Sequence, residues 1–65
     1  MNDYIVRIFL DDLSILEYEL EANTASKASK KALKKYYHAG WGWISYKKIE
    51  VYLEKEMKIV YTVTV

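Results

Sequence analysis

Few side chains in this chain of 65 residues are suited to acid–base, nucleophilic or metal chemistry. His38 is the only histidine and stands among lysines, and Asp11, Asp12 and Ser14 are the closest group of oxygen ligands. A hard cation needs about six oxygens, whereas this composition is typical of a turn. Cysteine, a phosphate-binding glycine loop and a nucleophile elbow are absent from the sequence. We therefore expect no enzyme, no metal site and no cofactor.

Aromatic residues are concentrated between two pairs of lysines, in the sequence KKYYHAGWGWISYKK of residues 34–48. This segment contains five of the ten aromatic residues and no acid. Exposed aromatic rings beside positive charge are typical of interfaces with proteins and nucleic acids. Tyr36 is expected to face the core, and a helix stop at Gly40 would fold Trp41 back onto it. The candidate anchors are therefore Tyr37, Trp43 and Tyr46.

The lysines form a second candidate surface. Residues 23–48 carry seven lysines and no acid, whereas residues 1–22 have a net charge of −5 and residues 49–65 a net charge of −1. A solvated helix face also carries lysine, but it usually interleaves glutamate for pairing at i,i+4. A solubilising face, attraction to an acidic protein and contacts to phosphates all remain open. The candidate partner-binding lysines are Lys27, Lys30, Lys31, Lys34, Lys35, Lys47 and Lys48.

The elements that must position these residues follow from the spacing of apolar residues. Alternation predicts strands over about residues 4–10, 16–22, 49–54 and 59–65, with Glu17, Glu19 and Glu21 on a solvated strand face. A period of about 3.6 predicts a helix over residues 25–39, capped by Asn23 or Thr24 and ended by Gly40. The apolar residues before and after Lys47 differ in parity, which predicts either a bulge near Lys47 and Lys48 or an irregular segment over residues 43–46.

This order of elements, β-β-α-β-β, predicts an α+β single domain with one helix packed on one face of a four-stranded sheet. The first strand is expected to be central, beside either the third or the fourth strand. The sequences KALKKYY (residues 31–37) and KIVYTVTV (residues 58–65) resemble the immunoglobulin-binding domains of streptococcal protein G. That resemblance implies the β-grasp order, in which the first strand lies beside the fourth. It implies no function, because lysines stand where that family has acids and amides.

The sheet face away from the helix is a third candidate surface, since one helix can cover only one face. Apolar residues predicted on it are Ile5, Phe9, Ile15, Tyr52 and Val60. A contiguous apolar patch there would indicate a homodimer or a partner site.

We therefore expect a small non-enzymatic protein that acts as a protein-binding module or inhibitor. Its size and the absence of catalytic motifs favour a phage or mobile-element product that blocks a host enzyme. The alternatives are a nucleic-acid-binding module that uses the lysines and a designed or evolved β-grasp scaffold. The N-terminus has no signal-peptide pattern, and no apolar run approaches the roughly 18 residues of a membrane span, so we expect a soluble cytoplasmic protein without a membrane partner.

Overall fold

The chain folds into a four-stranded antiparallel sheet with one helix on one face, which confirms the predicted α+β class. A computed structural model describes residues 1–65. The elements are β1 (Asn2–Leu10), β2 (Ile15–Ala22), α1 (Ala25–His38), β3 (Tyr46–Leu53) and β4 (Lys58–Thr64), with a short 3-10 turn at Trp41–Trp43. The helix is neither long enough nor apolar enough to cross a membrane.

The strand order is β2-β1-β3-β4, so the β-grasp order implied by the resemblance is wrong. β1 is central, as predicted, but its second neighbour is β3 and not β4. After β2, α1 crosses over β1, and the short connection over residues 39–45 returns the chain directly to the other side of β1. β3 therefore fills the position beside β1, and β4 forms the outer edge by pairing with β3 alone.

The helix ends where local signals predict. The Thr24 hydroxyl accepts the Lys27 N–H at 3.2 Å, which satisfies one of the free donors of the first turn. Ala39 caps the other end, and Gly40 follows with φ +86°, a conformation that glycine adopts without steric cost. The inner side of α1 buries the small residues Ala28, Ser29 and Ala32 as well as Tyr36. Small side chains allow the helix to approach the sheet closely.

The core lies between α1 and the sheet. It is a cluster of ten buried residues, to which the strands contribute most of the large side chains: Tyr4, Val6, Ile8, Leu10, Ala22, Ala28, Ala32, Tyr36, Ile49 and Val51. Trp41 and Leu33 are half-buried and pack against it, as the sequence predicts.

Two register shifts change which side chains share a face. Between β1 and β3, Phe9 pairs with Lys48 and Leu10 with Tyr46, so Lys47 is the extra residue and the bulge predicted near it is present. Between β3 and β4, Val51 pairs with Tyr61 and Tyr52 with Ile59, so Val60 is skipped. Val60 is thus the extra residue of a second bulge, and Ile59 lies opposite Tyr52.

Candidate protein-binding site at the loop end

Two connecting segments meet at one end of the molecule, which we call the loop end: the β1–β2 turn (residues 11–14) and the α1–β3 loop (residues 39–45). The Asp11 N–H donates to the Ser45 carbonyl at 2.9 Å and joins them. β1 ends here and β3 begins here, so a rigid sheet holds both segments. Binding residues are often found on loops that a scaffold fixes in this way.

Tyr36 is the buried anchor of the loop end. Its side chain is only 1% exposed, and its hydroxyl donates to the Ile44 carbonyl. Burial raises the pKa of the Tyr36 phenol above its usual value, since the phenolate would lose its hydration. The Tyr46 ring meets the Tyr36 ring edge-on, with centroids 6.1 Å apart. This hydrogen bond therefore ties the α1–β3 loop to the core, which Trp41 and Ile44 of the loop also contact.

Tyr37 is exposed but held in place. The residue is 57% exposed, and its ring centroid lies 5.0 Å from that of Tyr36. The ring also lies against Gly42, where an added Cβ would be 2.7 Å from Cδ1 of Tyr37. Only glycine leaves room for the ring in this position. A shallow cleft of about 240 Å³ lies beside it and is lined by Tyr36, Tyr37, Gly42, Ile44, Ser45, Tyr46 and Val65.

Trp43 and Leu13 extend the apolar surface of the loop end. Trp43 is 80% exposed at the end of the 3-10 turn, whereas Tyr46 is half-buried. Leu13 is 81% exposed and has φ +73°, a left-handed conformation that is uncommon outside glycine. Its turn is held because the Leu13 N–H donates to the Leu10 carbonyl and the Ser14 N–H donates to the Asp12 carboxylate. Leu13 is not among the binding residues predicted from the sequence, although a large apolar residue within the polar turn DDLS could have indicated an exposed contact.

The lysines of α1 lie on its solvent face beside Tyr37. Lys30, Lys34 and Tyr37 follow one another at helical spacing and share a face of the helix. None of the helix lysines forms an ion pair. The two ion pairs of the structure join Arg7 to Glu17 and Lys48 to Glu50. One helix lysine is tied down through a backbone group: the Lys31 ammonium donates to the Glu21 carbonyl at 2.8 Å. The four exposed lysines that border a shared surface depression are Lys27, Lys30, Lys31 and Lys34.

The structure does not place Lys47 and Lys48 on the helix face. Lys48 lies on the open face of the sheet, where its ammonium is 4.5 Å from the Phe9 ring centroid and 3.3 Å from the Glu50 carboxylate. Lys47 is exposed at the bulge and lines a depression with residues of the β1–β2 turn. The lysine surface is therefore interrupted by the sheet, and only the five lysines of α1 share one face.

The open sheet face is divided by a row of charged residues. Arg7 pairs in the ladder with Glu17 on one side and Glu50 on the other, and its hydrogen bond to Glu17 raises the pKa of the guanidinium. The Arg7 guanidinium also lies 5.0 Å from the Tyr52 ring centroid. Ile5 is buried among these side chains.

Apolar residues of the open face consequently fall into two groups. Phe9 pairs with Ile15 on one side of the charged row. On the other side, Tyr52 pairs with Ile5 and with Ile59. This face does not offer one continuous apolar surface.

The polar side chains that could serve acid–base or metal chemistry do not converge on one site. His38 is exposed at the end of α1, and the Asp12 carboxylate is used in the β1–β2 turn. No three of the histidine, aspartate and glutamate side chains are arranged to hold a metal ion.

Comparisons of the chain with protein-family models, with curated proteins and with solved structures find no match.

Proposed function

We propose that this protein binds another protein through the loop end and acts as a compact inhibitor or adaptor without catalysis. One observation carries the proposal: Tyr37 is exposed yet packed against Tyr36 and Gly42, at the same end of the molecule as the exposed side chains of Trp43 and Leu13. Scattered exposed apolar residues are ordinary on protein surfaces. Here three exposed apolar residues, Tyr37, Trp43 and Leu13, lie at one end of a small domain. Tyr37 is held by packing and Leu13 has a left-handed backbone conformation, and both features favour a binding surface.

The fixed ring matters for affinity. Binding costs roughly 0.5–1.5 kcal/mol for each flexible side chain that becomes ordered in an interface. Tyr37 is already ordered by its neighbours, so this cost falls largely on Trp43. Tryptophan and tyrosine are also the residues most enriched among those that dominate binding energies. We therefore assign Trp43 and Tyr37 as the main anchors, with Tyr46 as part of the cleft wall.

The neighbouring charges suggest the chemistry of the partner. Lys34 and Lys35 stand on the last turns of α1, and Lys34 is adjacent to Tyr37 on the helix surface. A partner with an apolar pocket and an acidic rim would complement this arrangement. The lysines would act mainly on the association rate, because exposed charges steer an encounter more than they stabilise the complex. A host enzyme blocked by a phage or mobile-element product would fit this description.

Affinity capture with matched variants tests the proposal. The wild-type protein is immobilised and exposed to a cell lysate, and the proteins that it retains are identified by mass spectrometry. The capture is then repeated with Trp43→Ala and Tyr37→Ala. Met57→Ala is the control, because Met57 is as exposed as Tyr37, at 58% against 57%, and lies at the opposite end of the sheet. We expect proteins retained by the wild type and by Met57→Ala to be lost with both loop-end variants.

Two results would contradict this assignment. A protein retained equally by all variants, provided that they are folded by circular dichroism, would place the interface elsewhere. A chain that retains no protein at all would favour a scaffold without a natural partner.

A second candidate function is binding of nucleic acid through α1. The observation that favours it is the row of exposed helix lysines without an ion-paired acid. Each phosphate contact contributes about −0.9 to the slope of log K against log salt for duplex DNA. We expect Lys30→Gln with Lys34→Gln to reduce that slope by about 2, while Lys55→Gln in the β3–β4 turn leaves it unchanged. Absence of binding to single- and double-stranded DNA and RNA at low salt would exclude this function.

A further inference from the structure

The two outer strands of the sheet differ in how their free edges are protected. β2 carries a glutamate at every second position, Glu17, Glu19 and Glu21, and charge on an edge strand discourages pairing with other strands. β4 pairs only with β3, and residues 59–65 contain no charged residue, no glycine and no proline. Its one irregularity is the bulge at Val60, which leaves residues 61–64 in regular pairing with β3.

The hydrogen bonds of β4 show which backbone groups face outward. The Val65 N–H donates to the Lys47 carbonyl at 3.1 Å, so Val65 points its backbone groups toward β3. These directions alternate along an antiparallel strand. Val63 and Tyr61, which pair with Ile49 and Val51, therefore also point toward β3. The backbone N–H and C=O groups of Thr62 and Thr64 therefore point away from β3, toward the free edge of the sheet.

The side chains of β4 are poorly covered on the helix side. α1 lies mainly over β2, β3 and β1 and reaches β4 least. Tyr61 and Val63 pair with inward-facing residues of β3 and so belong to the helix side, yet Tyr61 is exposed and Val63 is only half-buried. A neighbour at this edge would cover both residues.

We propose that β4 pairs antiparallel with β4 of a second copy of this chain, forming one continuous sheet of eight strands across a two-fold axis. Outward-facing groups meet when Thr62 lies opposite Thr62 of the second copy. In this register Tyr61 lies opposite Val63 of the second copy, and the reverse pair follows from the symmetry. Thr–Thr pairs and pairs of an aromatic with a β-branched residue are favourable across strands. No charge is placed opposite a like charge.

Self-pairing fits this edge better than the other surfaces of a second copy. A contact between β4 and β2 would leave two free edges and produce an open-ended assembly. The open sheet face is divided by Arg7 and its two glutamates. A short edge contact buries less than the roughly 1,200–2,000 Å² of stable interfaces, so we expect a weak dimer with a dissociation constant on the order of 100 μM.

Charge variants at the two-fold axis test the proposal. Sedimentation from about 10 μM to about 1 mM should show a monomer–dimer equilibrium for the wild type. Thr62→Lys and Thr62→Glu each place like charges opposite each other, so each variant alone should remain monomeric at low salt. An equimolar mixture of the two should dimerise again. Thr62→Val keeps the shape without charge and should dimerise like the wild type, as should Trp43→Ala at the loop end.

Hydrogen exchange provides the second measurement. The amides of Thr62 and Thr64 should exchange rapidly in dilute solution and become protected as the concentration rises, whereas the Val63 amide should be protected throughout. A wild-type chain that is monomeric at about 1 mM would overturn the proposal. A dimer that persists in both charge variants would also overturn it, because the interface would then lie on another surface.

Discussion

Replacing Tyr36 with phenylalanine isolates the hydrogen bond that attaches the α1–β3 loop to the core. The ring is buried against the sheet and contacts the rings of Tyr37 and Tyr46. Phenylalanine keeps these contacts and removes only the hydroxyl that donates to the Ile44 carbonyl. No backbone N–H donates to that carbonyl, so the substitution leaves it without a protein donor.

The expected cost follows from the burial of the acceptor. A typical hydrogen bond contributes about 0.5–1.5 kcal/mol net, and an acceptor left unsatisfied in the interior costs about 1–3 kcal/mol. Ile44 is only half-buried, so water can replace part of the lost bond. We expect the free energy of unfolding to fall by about 1–2 kcal/mol. For a domain of this size, 1 kcal/mol corresponds to roughly 4–8 °C in Tm.

Urea denaturation and thermal melts followed by circular dichroism measure this cost, and Tyr37→Phe is the matched control. The Tyr37 hydroxyl has no hydrogen-bond partner within the protein, so its loss should change stability by less than about 0.5 kcal/mol. Hydrogen exchange at residues 41–45 should accelerate in Tyr36→Phe alone. A Tyr36→Phe variant as stable as the wild type, or equal losses in both variants, would refute the role of this bond.

Three further predictions concern the helix cap, the loop glycine and alkaline stability. Thr24→Ala should lower the free energy of unfolding by about 1 kcal/mol in urea denaturation, because the Lys27 N–H loses its acceptor. Thr24→Ser keeps a hydroxyl and should retain most of that stability, and equal losses in the two variants would exclude a capping role. Gly42→Ala should displace the Tyr37 ring, shifting its NMR resonances and weakening partner binding, and unchanged resonances would count against the packing described. Burial raises the pKa of Tyr36, so above about pH 10 the unfolded chain binds fewer protons than the folded chain, and stability should fall as pH rises. Urea midpoints between about pH 9 and about pH 11 should fall less steeply in Tyr36→Phe than in the wild type, and parallel curves would contradict this linkage.

Local signals made much of the loop end predictable. The orientation of Tyr36 follows from helical spacing, and the positive φ of Gly40 follows from its place after the last helical turn. Of the candidate anchors, Trp43 and Tyr37 are exposed and Tyr46 is half-buried. The role of Gly42 could not be read in this way, because it depends on where the Tyr37 ring lies after the chain has turned. The conformation of Leu13 likewise depends on hydrogen bonds that close only when the hairpin forms.

The sequence by itself determined the class of fold, because periods of 2 and 3.6 are properties of neighbouring residues and the helix signals at Thr24 and Gly40 act within one turn. Tertiary structure decided the strand order, since β3 and β4 present similar alternating patterns and only the path of the helix selects the neighbour of β1. It also brought Ile59 opposite Tyr52 through the bulge at Val60 and separated Lys48 from the helix lysines. A bulge of one residue reverses every later side chain, and no local preference specifies where that residue is inserted.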